Sequence, residues 1–157
     1  MKKIILAIGI LAVAGASWAQ QAGELGGGVV LGYPVGGTLK YWLSGRQAVD
    51  GGIGAADGTV LYADYLWHGW NILPQPKQGK LGVYAGLGPR LDFEDAGTNE
   101  FAIRTMVGLD YWISNHPIEL FAEVGPVFRL SPSGDVSSDG GIGVRFYFSG
   151  VPGKAGG

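Results

Sequence analysis

The chain of 157 residues has no cysteine, only two histidines and few charged side chains. Without cysteine it forms no disulfide and performs no thiolate chemistry. Charged residues make up 15% of the chain, well below the roughly 25–35% that suits a soluble surface. Eleven basic residues stand against 13 acidic ones, so the charge balance does not indicate nucleic acid as a partner.

Apart from its N-terminus, the chain also lacks an apolar run long enough for a spanning helix. The N-terminus has a basic Lys2-Lys3 start, an uncharged apolar run over 4–16, and the small-x-small sequence Ser-Trp-Ala over 17–19. This pattern predicts a cleavable signal peptide over 1–19, and no cysteine follows it that could carry a lipid. An exported, weakly charged chain without spanning helices favours a closed β-barrel, because a barrel pairs all its backbone polar groups.

What the sequence does contain is strict alternation, clearest between Phe101 and Leu130. Apolar residues take every second position in two arms, 101–112 and 118–130, and the positions between them are mixed and charged. Successive strand residues point to opposite faces, so this stretch is predicted to be a hairpin with one apolar face. Each arm reaches the nine to eleven residues that cross a bilayer when tilted.

The same alternation predicts six more strands, over 24–32, 38–43, 48–55, 59–67, 80–93 and 139–148. An even number of strands is typical of outer-membrane barrels. We therefore expect an all-β fold, an eight-stranded antiparallel up-and-down transmembrane β-barrel over 20–148, followed by a flexible tail over 149–157. The predicted connections are 33–37, 56–58, 94–99 and 131–138 at one end, with 68–79 the longest at the other. Pro126 predicts a bulge or an early strand end, since proline cannot donate to a sheet.

Aromatic residues recur where the even-numbered strands end. In an up-and-down barrel these ends share one rim, so the aromatics are predicted to form a girdle at the periplasmic membrane surface. The predicted girdle residues are Tyr41, Trp42, Tyr65, Trp67, Tyr111, Trp112, Phe146 and Phe148.

Charged residues fall on the other face of their strands, with equal numbers of each sign. An eight-stranded barrel has an interior just wide enough for side chains, and charges buried there must pair. We expect a filled, ion-paired lumen built from Lys40, Asp50, Asp64, Arg90, Arg104, Asp110, Glu119, Glu123, Arg129 and Arg145. Alternation alone also permits the inverse, a soluble lipocalin-like barrel that binds a hydrophobic ligand in an apolar lumen. The low charge, the glycine content and the aromatic rim favour the membrane barrel.

No motif in the chain indicates catalysis, a metal or a cofactor. His68 and His116 lie at predicted strand ends without a surrounding motif. Glu119 and Glu123 share a face, as acid–base pairs do, but the basic residues on that face favour ion pairing. The glycine-rich stretch 52–58 lacks the lysine of a phosphate-binding loop.

Several stretches resemble small bacterial outer-membrane β-barrels of uncharacterised function, similar in architecture to the OmpA-type eight-stranded membrane domain. They are Gly-Tyr-Pro-Val-Gly at 32–36, Lys-Tyr-Trp-Leu at 40–43, Ala-Asp-Tyr-Leu-Trp-His at 63–68, Gly-Lys-Leu at 79–81, and the aromatic strand 141–148. The resemblance implies a monomer in the outer membrane, with membrane lipid and the barrel-assembly machinery as partners. It transfers no catalytic or ligand-binding residue. The chain departs from the pattern because it continues beyond Phe148, where such barrels commonly end.

The sequence thus predicts a non-enzymatic outer-membrane barrel with a structural or surface-binding role. Besides the soluble barrel, a narrow ion channel and a lipid-modifying enzyme barrel are alternatives. Any extracellular ligand of the loops is unknown from sequence.

Overall fold

The computed structural model describes residues 22–95 and 97–148. The predicted signal peptide over 1–19 and the predicted tail over 149–157 lie outside the described residues.

Eight β-strands form the described chain: β1 (Leu25–Tyr33), β2 (Val35–Trp42), β3 (Gln47–Ala55), β4 (Gly58–Gly69), β5 (Lys80–Glu94), β6 (Asn99–Trp112), β7 (Ile118–Ser131) and β8 (Asp135–Phe148). Each strand pairs with the next, and β8 pairs antiparallel with β1, so the sheet closes into a barrel. The predicted all-β, eight-stranded antiparallel barrel is confirmed. Among the described residues there is no helix of the length and apolar character needed to cross a membrane.

The two rims of the barrel differ in their connections. At the terminal rim, where β1 begins and β8 ends, the connections are 43–46, 70–79 and 113–117. At the distal rim they are Pro34 alone, then 56–57, 95–98 and 132–134. Two predicted loops, 33–37 and 131–138, are therefore longer than the real ones. Backbone pairing continues into both, because Val35 pairs with Ala55 and Asp135 pairs with Arg129.

The expectation for Pro126 is wrong. Strand β7 continues through it, and Pro126 pairs with Ser138 of β8. On the β6 side, pairing passes from Arg104–Val127 to Val107–Val124, so the proline lies opposite an interruption of the ladder. Since proline has no N–H to donate, this position is tolerated without ending the strand. The irregularity in register falls instead between Phe101 and Ala102.

The two faces of the wall are strongly segregated. Outward side chains are apolar, as with Leu31 and Ile142, which are both 62% exposed. Inward positions carry apolar and charged side chains together, and the charged Lys40, Arg145 and Glu119 are fully buried. This is the reverse of the soluble lipocalin-like alternative, which requires an apolar interior and a charged exterior. The structure therefore does not favour that alternative.

Candidate functional site

The lumen holds a first group of charges around Lys40, contributed by five strands. Lys40 of β2 donates from Nζ to Glu119 Oε1 of β7 at 2.8 Å and lies 3.9 Å from Asp110 Oδ2 of β6. Arg145 of β8 donates to Asp50 Oδ2 of β3 at 2.8 Å and lies 3.5 Å from the same Glu119 oxygen. These five side chains are the Lys40 cluster. Because their strands surround the lumen, the cluster ties the wall together across its interior.

A second group, the Arg104 cluster, lies further toward the distal rim. Arg104 Nε lies 3.1 Å from Asp64 Oδ2, and Arg104 Nη2 donates to Glu123 Oε1 at 3.0 Å. Its Nη1 lies 3.6 Å from Asp139 Oδ2, and its guanidinium stacks 4.0 Å from the Tyr62 ring centre. A single buried guanidinium therefore holds carboxylates from three strands.

Closer to the distal rim, Arg90 donates from Nη2 to Asp92 Oδ1 at 2.6 Å and from Nη1 to Asp139. Arg129 pairs with Glu100 at 2.5 Å and with Asp135 at 3.2 Å, and its side chain is 25% exposed. Arg129 thus lies at the rim, apart from the buried groups. The other nine residues of the predicted lumen set are buried inside the barrel.

Sequence reasoning missed several residues that complete these groups. Asp139 is buried and bridges Arg90 and Arg104. It lies on the same side of β8 as Arg145, so the alternation of strand eight would have included it. Tyr84 donates to Glu123 Oε2 at 2.7 Å, and Tyr147 donates to Glu119 Oε2 at 2.5 Å. Nothing in the sequence marks a tyrosine hydroxyl as the partner of a distant carboxylate.

Aromatic side chains fill the lumen at the terminal rim. Trp42 lies with its ring centre 4.4 Å from His68, 5.9 Å from Trp70 and 6.1 Å from Trp112. Trp112 in turn lies 4.6 Å from Tyr147. We name these five residues the aromatic plug. Together they occupy the lumen at the terminal rim, between that rim and the Lys40 cluster.

The placement of Trp42 and Trp112 in a membrane girdle is therefore wrong. Trp42 is fully buried and Trp112 is 5% exposed, and both point into the lumen. The reason is the period of two in a strand: Tyr41 faces outward, so Trp42 next to it faces inward. The outward aromatics at this rim are Tyr41, Tyr65, Trp67, Tyr111, Phe146 and Phe148.

The chemistry available in this interior is pairing and packing. His68 is enclosed by rings, with Lys40 Nζ 2.9 Å from its Nε2. His116 contacts the Ser114 carbonyl oxygen at 2.8 Å. Within 22–95 and 97–148, no group of three or more His, Cys, Asp or Glu residues is arranged to hold a metal ion.

Fold and interior together define a closed eight-stranded antiparallel barrel with an apolar exterior and a charged, occupied interior. The N-terminal β-barrel domain of Pseudomonas aeruginosa OprF, a solved structure, is similar to this chain with a TM-score of 0.52 and 19% sequence identity. The match covers 80% of this chain and 96% of that chain. It confirms, for the fold, the predicted resemblance to OmpA-type barrel domains. No family model matches the chain, and no curated protein matches it.

Proposed function

We propose that this protein is an integral outer-membrane β-barrel with a structural or surface-binding role and no catalytic activity. The observation that carries the proposal is the inverted distribution of polarity. Large apolar side chains face outward from every strand, while buried charges face one another inside. A water-soluble protein rarely exposes a contiguous apolar surface of more than a few hundred Å², whereas an apolar outer band is what a barrel presents to lipid.

The outer band is continuous around the barrel. Its most exposed members include residues from β1, β2, β3, β6, β7 and β8, namely Leu31, Leu39, Ile53, Val107, Val124 and Ile142. The remaining strands β4 and β5 contribute Trp67 and Leu87 at 48% and 47% exposure. Lipid is thus the partner for which the whole circumference is suited. A monomer in the membrane is part of the proposal.

The interior supports a structural role over transport. The aromatic plug, the Lys40 cluster, the Arg104 cluster and the ion pairs of Arg90 follow one another through the lumen from the terminal rim toward the distal rim. Removing one partner of a buried ion pair costs about 3–5 kcal/mol. We therefore assign these charges a structural role, in which they hold the strands in register and fill the space that an ion would need. We expect no unitary conductance when the purified protein is added to planar bilayers. Steady single-channel steps would support the narrow ion channel instead.

Export to the outer membrane is part of the proposal and rests on the N-terminal sequence pattern over 1–19. With the signal peptide removed in the periplasm, the terminal rim would face the periplasm and the distal rim the exterior. Folding would then depend on the barrel-assembly machinery, although the chain continues beyond Phe148. The distal connections are only one to four residues long, so any extracellular ligand would meet a small surface.

Outer-membrane fractionation combined with heat modifiability tests the location. We expect the protein in the outer-membrane fraction, extracted only by detergent. Unheated samples should migrate faster on detergent gels than boiled ones, because a closed barrel resists detergent until it is heated. A protein that is monomeric in buffer without detergent would overturn the proposal.

A further inference from the structure

The connection over 70–79 is a folded segment, unlike the short turns of the distal rim. The Gln75 side chain fixes its shape, donating from Nε2 to the Leu81 carbonyl at 2.8 Å and accepting from the Leu81 N–H at 3.0 Å. Trp70 Nε1 donates to the Gly45 carbonyl at 2.7 Å. The segment is thus held both to β5 and to the neighbouring connection 43–46.

One end of this segment is fixed inside the barrel. The Trp70 ring stacks on Trp42 and on His68, with 5.7 Å between the centres of the second pair. A Cβ at Gly82 would come within 2.7 Å of the Trp70 ring, so the ring occupies space that only glycine leaves open. Lys80 Nζ lies 3.9 Å from the centre of the same ring.

The middle of the segment lies on the outer wall. A Cβ at Gly69 would come within 2.3 Å of Ile72 Cδ1, so the Ile72 side chain covers Gly69. Gly69 belongs to the outward series of β4, two residues beyond Trp67. Ile72 is 67% exposed and Leu73 is 36% exposed. The segment therefore extends the apolar band past the last strand residues of the terminal rim.

The net charges of the two rims have opposite sign. Apart from the Lys40 cluster, the charged residues that the structure describes at the terminal rim are Glu24, Arg46, Lys77 and Lys80. At the distal rim the exposed acidic residues include Asp57, Asp95 and Asp135, and Arg129 is a partly exposed basic residue. The rim that carries the apolar extension is thus the basic one. Basic residues beside an apolar surface suit anionic lipid headgroups, each contributing about 1 kcal/mol of attraction near the membrane surface.

We propose that segment 70–79 is an interfacial anchor that binds the surface of an anionic phospholipid leaflet. Ile72 and Leu73 lie at the boundary between headgroups and acyl chains, and Lys77 and Arg46 contact lipid phosphates. This inference rests on the proposed membrane location of the barrel. We choose lipid as the binding partner of the segment because the segment is continuous with the apolar outer wall. Its basic residues also complement the negative charge of the phospholipid headgroups.

Depth measurement tests the position of Ile72. The chain has no cysteine, so Ile72→Cys, Val107→Cys and Gly134→Cys can each be labelled with one nitroxide. The labelled proteins are reconstituted in phosphatidylglycerol vesicles and checked for heat modifiability. Collision rates with oxygen and with a water-soluble nickel complex then report depth. We expect the Gly134 label in water, the Val107 label deep in the bilayer, and the Ile72 label at an intermediate depth, about 5–10 Å into the boundary region between headgroups and acyl chains.

The three labels distinguish failure of the interfacial anchor from failure of the membrane barrel. If the Val107 label is deep and the Ile72 label is in water, the anchor is wrong while the membrane barrel stands. If the Val107 label is also in water, the membrane barrel itself is wrong and the anchor fails with it.

A charge test addresses the lipid class. The association of spin-labelled phosphatidylglycerol relative to phosphatidylcholine is compared for the native protein, Lys77→Gln and Lys77→Gln/Arg46→Gln. At low ionic strength we expect a loss of about fivefold for each removed charge at the rim, and no loss at high salt. Arg129→Gln, at the distal rim, is the matched control and should leave the preference unchanged. An equal loss in the control, or none in the double variant, would contradict the proposal.

Discussion

Lys40 and Glu119 are joined inside the barrel by a 2.8 Å hydrogen-bonded ion pair, although 79 positions separate them in the chain. Both side chains are fully buried. Their strands, β2 and β7, are separated by β1 and β8, so the pair spans the interior across the closure of the sheet. Arg145 and the Tyr147 hydroxyl also contact Glu119. One carboxylate thus links three strands, β2, β7 and β8.

Replacing Glu119 by glutamine should destabilise the folded barrel by about 3–5 kcal/mol, because Lys40 loses its compensating charge while it stays buried. Urea unfolding in detergent micelles, followed by tryptophan fluorescence, measures the free energy of unfolding. Asp135→Asn is the control, since Asp135 is 63% exposed in its pair with Arg129, and exposed pairs contribute about 0–1 kcal/mol. The double variant Lys40→Met/Glu119→Leu should lose less unfolding free energy than the sum of the losses of Lys40→Met alone and Glu119→Leu alone. Equal effects for Glu119→Gln and Asp135→Asn would contradict the structural role of the pair.

Tryptophan depth should follow the alternation of the strand ends. We expect brominated lipids to quench a variant that keeps only Trp67, which faces outward and is 48% exposed. A variant that keeps only Trp42 should show little quenching, because Trp42 is buried in the aromatic plug. In each variant the other tryptophans beyond the predicted signal peptide are replaced by phenylalanine. Similar quenching of the two variants would show that Trp42 lies on the outer wall and would contradict its place in the aromatic plug.

A charge on the outer wall should block membrane insertion. Val107 is 58% exposed at a position far from either rim. If this position faced water, an arginine there would change the folding free energy little. At the bilayer midplane, the same arginine would destabilise the folded barrel by about 2–4 kcal/mol. We expect Val107→Arg to lower the folding yield into vesicles of long-chain lipid, measured by the heat-modifiable fraction. Thr98→Arg, at an exposed distal connection, should fold as the native chain does. Normal insertion of Val107→Arg would count against lipid contact at that wall.

Close approach of strands makes Gly125 indispensable. A Cβ at Gly125 would lie 1.8 Å from the Thr105 carbonyl oxygen. The backbone on either side is fixed by other strands, because Gly125 pairs with Asp139 of β8 and Thr105 pairs with Leu87 of β5. We expect Gly125→Ala to abolish the heat-modifiable form or to lower its melting temperature sharply. Gly134→Ala, where nothing lies within 4 Å of the new Cβ, should melt as the native chain does. An unchanged melting temperature for Gly125→Ala would show that the strands can separate there.

Much of the fold follows from alternation, which is local. A period of two assigns each residue of a strand to one of two faces. Arg104 of β6 and Glu119 of β7 could therefore be placed on the same charged face from the sequence. The number of strands followed from counting such segments. Their ends did not, because pairing with a neighbouring strand extends β2 to Val35 and β8 to Asp135, and that neighbour is not visible in the local pattern.

The same locality explains the error at the aromatic rim. Clustering at strand ends predicted that these aromatics share one rim, and in the barrel they do. Adjacent residues such as Tyr41 and Trp42 were placed on the same surface, although a strand directs them to opposite faces. The terminal rim consequently has two aromatic groups, an outer one and the plug inside.

The sequence by itself determined which residues share a face, how many strands there are, and that only 15% of the residues are charged. Alternation is symmetric under exchange of inside and outside, so only closure of the sheet decided that the charged face is the interior. Closure also sets the register, and register decides that Lys40 meets Glu119 and that Asp139 bridges two arginines. Those contacts join residues far apart in the chain, and a local pattern contains no information about them.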